Sequence, residues 1–140
     1  MDMRISFPGG KRVNATYKGF TIKTDQPIES DGEDSAPTPF DLFLASIGTC
    51  SGFYVLSFCQ ARNIPTEKIR LVLNAEKNEE TKIIGKVAIE ILLPKEFPEK
   101  YTDQLVRVAK KCTVKKNLEN PPLFEIHTKR ETKTEQVLCP

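Results

Sequence analysis

Residues 38–62 read TPFDLFLASIGTCSGFYVLSFCQAR and open with an unusually complete set of helix-start signals. Thr38 is typical of an N-cap, Pro39 suits the first helical position, and Asp41 stands three residues after the cap, where a capping-box partner belongs. The sequence therefore predicts a helix that begins here and continues to about Arg62, because the Asn-Ile-Pro run that follows ends it. Its length is roughly 22 residues, or about 33 Å.

Apolar side chains point in nearly every direction around this predicted helix, which indicates burial on most sides. A membrane span would be similarly apolar, but polar residues interrupt the segment and strand patterns lie on both sides of it. A buried core helix is therefore the better interpretation. The apolar set is Leu42, Phe43, Leu44, Ile47, Phe53, Tyr54, Val55, Leu56 and Phe58, and the interrupting residues are Asp41, Ser46, Thr49, Ser51, Ser57 and Gln60.

Short alternating stretches broken by turn residues lie before and after the helix. Residues 3–6 and 12–24 predict strands joined by hairpins, and the acidic, turn-rich residues 25–37 predict a surface loop. Residues 69–75 and 83–93 alternate and are joined by a polar turn, which predicts a second hairpin.

The rest of the chain predicts one further helix and one further strand. Residues 98–112 carry apolar residues at helical spacing, and Phe124, Ile126 and Thr128 alternate as in a strand. The order favours an α+β fold, with an antiparallel sheet packed on a long buried central helix and a second helix. We expect a single domain. Its parts are the N-terminal strands with the acidic loop (1–37), the central helix (38–62), the hairpin with the second helix and the last strand (67–130), and a tail (131–140).

Composition narrows the function classes. The 140 residues are 39% apolar, which suffices for one core, and a net charge of +2 argues against nucleic acid as a partner. The N-terminus lacks the pattern of a secretory signal, so we expect a cytoplasmic protein without a membrane anchor. Four cysteines without a Cys-x-x-Cys pair, together with the lone His127, predict neither a disulfide framework nor a metal site.

Cys50 lies in the middle of the predicted helix between the small residues Gly48, Thr49, Ser51 and Gly52. A buried free cysteine is commonly inert, but two glycines inside a helix each cost about 1 kcal/mol relative to alanine and need a reason. That reason is either close approach of a second helix or access to the sulfur. A reactive Cys50 needs a lowered pKa, which the dipole of its own helix cannot supply so far from the first turn.

Four other residues bear on this question. A cation is expected to activate Cys50, and Arg12 in the N-terminal hairpin is a candidate, although it reads equally well as a solvated strand residue. Cys112 follows two lysines and precedes two more, a setting that favours thiolate, with an exposed helix end as the alternative. Cys59 is out of phase with Cys50 and is expected in the core. Cys139, in the polar tail, is expected to have no role.

The stretch from Pro39 to Cys50, PFDLFLASIGTC, resembles the helix-opening motif of the OsmC and Ohr family. Cys112 also stands where that family has its second cysteine, after the second helix. The resemblance implies an intertwined homodimer with active sites at the subunit interface. It also implies reduction of organic hydroperoxides by a peroxidatic Cys50 and a resolving Cys112.

The sequence departs from the Ohr branch at Phe40. That branch has a catalytic Glu at this position, directly after the opening Pro. Asp41 follows one residue later, as the capping partner and a possible supporting group of the site.

Two hypotheses follow. One is a peroxidase that needs an external thiol or dithiol reductant and no cofactor. The other is a dimeric protein that binds a small apolar ligand or senses redox state without turnover.

Overall fold

The computed structural model describes residues 2–130, and Cys139 lies outside this range. Three helices and two separate antiparallel sheets form a mixed α+β fold, as predicted, although we expected one sheet. The elements are β1 (Arg4–Gly9), β2 (Arg12–Tyr17), β3 (Phe20–Thr24), α1 (Pro39–Gln60), β4 (Arg70–Lys77), β5 (Ile84–Leu92), α2 (Thr102–Ala109) and α3 (Thr113–Glu119), with single 3-10 turns at Ile28–Ser30 and Glu99–Tyr101.

Strands β1 to β3 form an N-terminal sheet in chain order, as the hairpin signals predicted. The β2–β3 turn places both Lys18 and Gly19 at positive φ, the geometry of a two-residue type I′ hairpin. Ile5, Ala15 and Ile22 are paired across the three strands and therefore share one face. This face is apolar but uncovered in a single chain. Its large residues Ile5, Phe7, Phe20 and Ile22 are all exposed, Phe7 to 81%.

Asp25 organises the acidic loop that follows β3. Its carboxylate is buried and accepts hydrogen bonds from the Gln26 and Glu33 N–H groups, at 2.8 and 3.2 Å, and from the Ser35 N–H and hydroxyl, at 3.1 and 2.6 Å. These donors, led by the Ser35 hydroxyl, lower the pKa of Asp25 to about 2. The predicted surface loop is thus folded around a single buried carboxylate.

Helix α1 starts with the predicted capping box. Asp41 N–H donates to the Thr38 hydroxyl at 3.2 Å, and Thr38 N–H donates to the Asp41 carboxylate at 2.8 Å. Its last helical residue, Gln60, lies two positions before the predicted end. The start and length of the helix follow from local chemistry alone.

Strands β4 and β5 form the second hairpin, and their apolar face packs on α1. Leu71 pairs with Ile91 and Leu73 pairs with Ile89, so these four side chains share the face that the alternation predicted. Gly48 and Gly52 of α1 lie beneath β4. A Cβ added to Gly48 would sit 3.7 Å from Leu73, which is ordinary contact. The two glycines therefore face a strand rather than a second helix.

The core lies between α1, α2 and this hairpin. Val55, Phe58 and Cys59 of α1 are buried against Leu105 of α2 and Phe97, which precedes it. Cys59 lies in the core, as expected, and burial raises the pKa of its thiol. Within residues 2–130, however, a single chain buries only one side of α1. Leu56 is partly exposed and Phe53 is 61% exposed, so the expected burial on most sides is not provided by one chain.

By length and composition α1 could cross a membrane, and it is the only helix of the described residues that could. Core helices of soluble proteins meet the same criteria, and here α1 carries three members of the core cluster. The fold of one chain therefore accounts for the apolar residues on one side of the helix.

Two C-terminal predictions differ from the structure. The predicted second helix over 98–112 is shorter, and a third helix, α3, follows where we expected only a polar lysine-rich segment. The predicted last strand is wrong within the described residues. The segment 121–130 has no regular structure, and Ile126 is 97% exposed. Alternation marks a segment that suits a sheet, but a strand exists only when a neighbour pairs with its backbone, and no strand of residues 2–130 does so.

Candidate active site

Cys50 lies half-buried on the side of α1 that faces α3. The backbone N–H groups of Val114 and Thr113, at the start of α3, lie near its sulfur and lower its pKa. The Cys112 thiol lies beside it. The fold thus brings together the two cysteines that the sequence singled out, although 62 positions separate them in the chain (112 − 50).

These contacts lower the pKa of Cys50 below the usual thiol value. The Val114 N–H has the largest effect, and the Cys112 thiol and the Thr113 N–H act in the same direction, while partial burial opposes them. We expected a cation to be required, because the dipole of α1 cannot act at Cys50. The structure instead supplies backbone N–H groups from a different helix, which stabilise a thiolate in the way that helix starts stabilise anions.

Cys112 is fully buried and is the N-cap of α3. Its sulfur accepts a hydrogen bond from the Lys115 N–H at 3.4 Å, and its thiol contacts the Ile47 carbonyl oxygen of α1 at 3.8 Å. The alternative of an exposed helix end is therefore wrong. The thiol has a single proton, which can point either to the Ile47 carbonyl or to the Cys50 sulfur. The long distance to the carbonyl makes the first contact weak.

Arg12 and Asp41 have other partners in a single chain. The Arg12 guanidinium donates to the Gly9 carbonyl at 3.2 Å and lies 3.6 Å from the Glu33 carboxylate, and it is not among the groups that shift the pKa of Cys50. Asp41 is engaged by the N–H and hydroxyl of Thr38, which lower the pKa of its carboxyl. One chain therefore brings neither residue to the sulfur.

An apolar cavity of about 430 Å³ near the cysteine pair is lined by α1, β5, α2 and α3. Its walls include Ile47 and Ser51 of α1, Ile91 of β5, Leu105 of α2 and Lys115 of α3. Ser51 directly follows Cys50, and the Ile47 carbonyl contacts Cys112. The residue pattern did not predict this cavity, because its walls come from elements that are distant in sequence.

Among residues 2–130, no cluster of His, Cys, Asp and Glu side chains could hold a metal ion. The groups that the structure brings together at this site are the two thiols, the backbone N–H groups around them and the neighbouring apolar surface.

Solved structures with this fold come from several bacteria. A protein assigned to the osmotic stress and detoxification response of Psychrobacter arcticus is 20% identical with a TM-score of 0.70, covering 82% of this chain and 85% of its own. An OsmC-like protein from Mycoplasma pneumoniae is 13% identical, with a TM-score of 0.67 and coverages of 86% and 87%. The organic hydroperoxide resistance protein OhrB of Bacillus subtilis is 18% identical, with a TM-score of 0.51 and coverages of 86% and 93%.

At these identities the structural likeness establishes the fold alone. Comparison with curated protein sequences gives no match. The sequence model of one family, described as OsmC-like protein, matches residues 32–127, a span that includes α1, both cysteines of the site and α3. This chain therefore belongs to the OsmC-like protein family.

Proposed function

We propose that this protein is a thiol-dependent peroxidase that reduces organic hydroperoxides through Cys50 and Cys112. One observation carries the proposal: the Cys50 sulfur faces a second thiol and two backbone N–H donors, which together lower its pKa. Membership of the OsmC-like family and the fold shared with a hydroperoxide resistance protein support a redox or peroxide-resistance role.

The reaction begins with the Cys50 thiolate, which attacks one oxygen of the hydroperoxide. The O–O bond breaks, the sulfur becomes a sulfenic acid, and the departing alkoxide takes a proton to become an alcohol. The Cys112 thiol then attacks the sulfenic sulfur. A disulfide forms and water leaves with the sulfenic hydroxyl and one proton. An external thiol or dithiol reduces this disulfide and is itself oxidised, which restores both cysteines.

Burial divides the roles of the two cysteines. Cys50 is half-buried and reachable by a substrate, whereas Cys112 is fully buried beside it. A hydroperoxide therefore meets Cys50 first, and Cys112 reacts only with a sulfur that is already next to it. The Cys112 thiol needs no large movement for this step, because it already lies beside the Cys50 sulfur.

The experiment is hydroperoxide consumption with cumene hydroperoxide as substrate and dithiothreitol as reductant. Cys50→Ser should abolish even the first turnover. Cys112→Ser should retain the first turnover and leave a sulfenic acid on Cys50 that dimedone labels. Cys59→Ala is the matched control, because Cys59 lies in the core away from this site, and it should turn over normally. Reversed behaviour of the first two variants would refute the assignment of roles.

We also propose that the active unit is a homodimer, which we expect to work in the cytoplasm. Two apolar surfaces are uncovered in one chain, the N-terminal sheet face and the side of α1 that carries Phe53 and Leu56, and large exposed apolar patches mark interfaces. Light scattering that finds only monomer at micromolar concentration would contradict this.

The cavity beside the cysteines favours a second candidate, a protein that binds a small apolar ligand without turnover. Its volume of about 430 Å³ is that of a ligand pocket, and its walls are mainly apolar. Phe40 at the position of the Ohr-branch Glu also fits this candidate, since Asp41 is committed to capping Thr38. The same assay separates the two functions, because a binding protein consumes at most one equivalent of hydroperoxide.

A further inference from the structure

Tyr54 connects α1 to the start of α3. It lies one helical turn after Cys50, so the two side chains share a face of α1. The Tyr54 hydroxyl is 3.2 Å from the Thr113 hydroxyl, and Thr113 is the first residue of α3. This hydrogen bond joins residues 59 positions apart and lies next to the two N–H groups that face Cys50.

Helix α3 needs such an attachment because it is short. It contains seven residues, none of them buried, and a helix of this length is unstable in isolation. The side-chain contacts that hold its beginning on α1 include the Tyr54–Thr113 hydrogen bond and the weak contact from Cys112 to the Ile47 carbonyl at 3.8 Å. At 3.8 Å the second contact is weak, so the first is the stronger of the two.

We infer that Tyr54 is a positioning residue, whose hydroxyl holds Thr113 so that the first N–H groups of α3 stay directed at the Cys50 sulfur. The inference rests on the proposed function, in which Cys50 reacts as a thiolate. Tyr54 itself is not proposed to contact substrate or the reacting atoms. Its effect passes through Thr113 to the charge on Cys50.

The test is the pH dependence of iodoacetamide alkylation at Cys50, followed by mass spectrometry of the reduced full-length protein. Tyr54→Phe removes only the hydroxyl and should move the midpoint of the alkylation rate against pH to a higher pH. At neutral pH the rate should fall by about threefold, within the range that loss of one neutral hydrogen bond produces. Tyr101→Phe is the matched control, because its ring packs on Phe58, two helical turns beyond Cys50, and it should leave the midpoint unchanged.

Substitutions at Thr113 keep the test decisive if Tyr54→Phe disturbs folding. Thr113→Val should reproduce the shift, Thr113→Ser should restore the parent midpoint, and the double variant Tyr54→Phe with Thr113→Val should shift no further than either single one. An unchanged midpoint in both Tyr54→Phe and Thr113→Val would overturn the inference. So would additive shifts in the double variant.

The outcome also separates this inference from the proposed function, because alkylation does not depend on turnover. A parent protein without peroxidase activity whose midpoint still responds to Tyr54→Phe would refute the peroxidase and support the positioning role. If the parent protein is an active peroxidase but Tyr54→Phe changes neither the midpoint pH nor the rate of alkylation, the peroxidase proposal stands and the positioning role is refuted.

Discussion

Replacing Cys112 by alanine or by serine separates its structural role from its redox role. Both variants lose the sulfur, and therefore the disulfide, to the same degree. Only alanine also removes the acceptor that caps α3, where the Lys115 N–H donates to the Cys112 sulfur at 3.4 Å. A serine hydroxyl is among the best N-caps, and at this buried position it can also donate to the nearby Ile47 carbonyl.

The expected difference between the two variants follows from the cap. Loss of a serine cap to alanine costs about 1 kcal/mol. In a protein of 140 residues this corresponds to a lower Tm for Cys112→Ala than for Cys112→Ser by about 3–4 °C. Because both variants lack the resolving thiol, their steady-state peroxidase activities should be equally low.

Thermal unfolding by circular dichroism, at one protein concentration and with reductant present, measures this difference. Amide hydrogen exchange at Lys115 should be faster in Cys112→Ala, because that N–H has lost its acceptor. The matched control is Cys59, which lies in the core and caps no helix. There the order should reverse, with alanine more stable than serine, since a hydroxyl in the core must be desolvated. Equal Tm values for the two Cys112 variants would refute the capping role.

Three further predictions concern the surroundings of the site. Because the folded-state pKa of Asp25 is about 2, below its usual value, its carboxylate stabilises the fold above about pH 4, and this contribution is lost as pH falls toward 2. The unfolding free energy measured in urea should therefore fall less steeply with acid in Asp25→Asn than in the parent protein. An equally steep fall would contradict the role. Gly48→Ala should raise the unfolding free energy by up to about 1 kcal/mol, because its Cβ meets only ordinary contact with Leu73; a loss would mean that something outside this chain packs there. Phe53→Lys should dissociate the proposed dimer in light scattering while exposed Gln60→Lys on the same helix should not, and a dimeric Phe53→Lys would place the interface elsewhere.

The elements that local chemistry determines could be predicted from the sequence. Thr38, Pro39 and Asp41 specify the start of α1 by hydrogen bonds among themselves, and Lys18-Gly19 specifies a hairpin turn by its backbone conformation. Helix α3 was missed because its cap is a cysteine, a residue that is not typical of that position. The last strand was predicted wrongly because alternation carries no information about whether a neighbouring strand is present.

The site was predictable only in part, for a similar reason. The small neighbours of Cys50 and the placement of Cys112 after the second helix indicated which residues to examine. What lowers the pKa of Cys50 could not be inferred, because the groups responsible are backbone N–H groups at Thr113 and Val114. Every residue except proline has a backbone N–H group, so the residue type does not indicate which N–H groups will lie near a sulfur in the folded protein.

The uncovered apolar face of the N-terminal sheet has a consequence for how the protein is made. Strands β1 to β3 precede α1 in the chain and so leave the ribosome before it, and the finished hairpins cannot cover their own apolar face. Until a second apolar surface arrives, this face and its unpaired strand edges favour aggregation. If the protein forms the proposed homodimer, the two copies that meet soonest are chains emerging from neighbouring ribosomes on one messenger RNA. Assembly during synthesis is therefore the route that leaves the sheet uncovered for the shortest time.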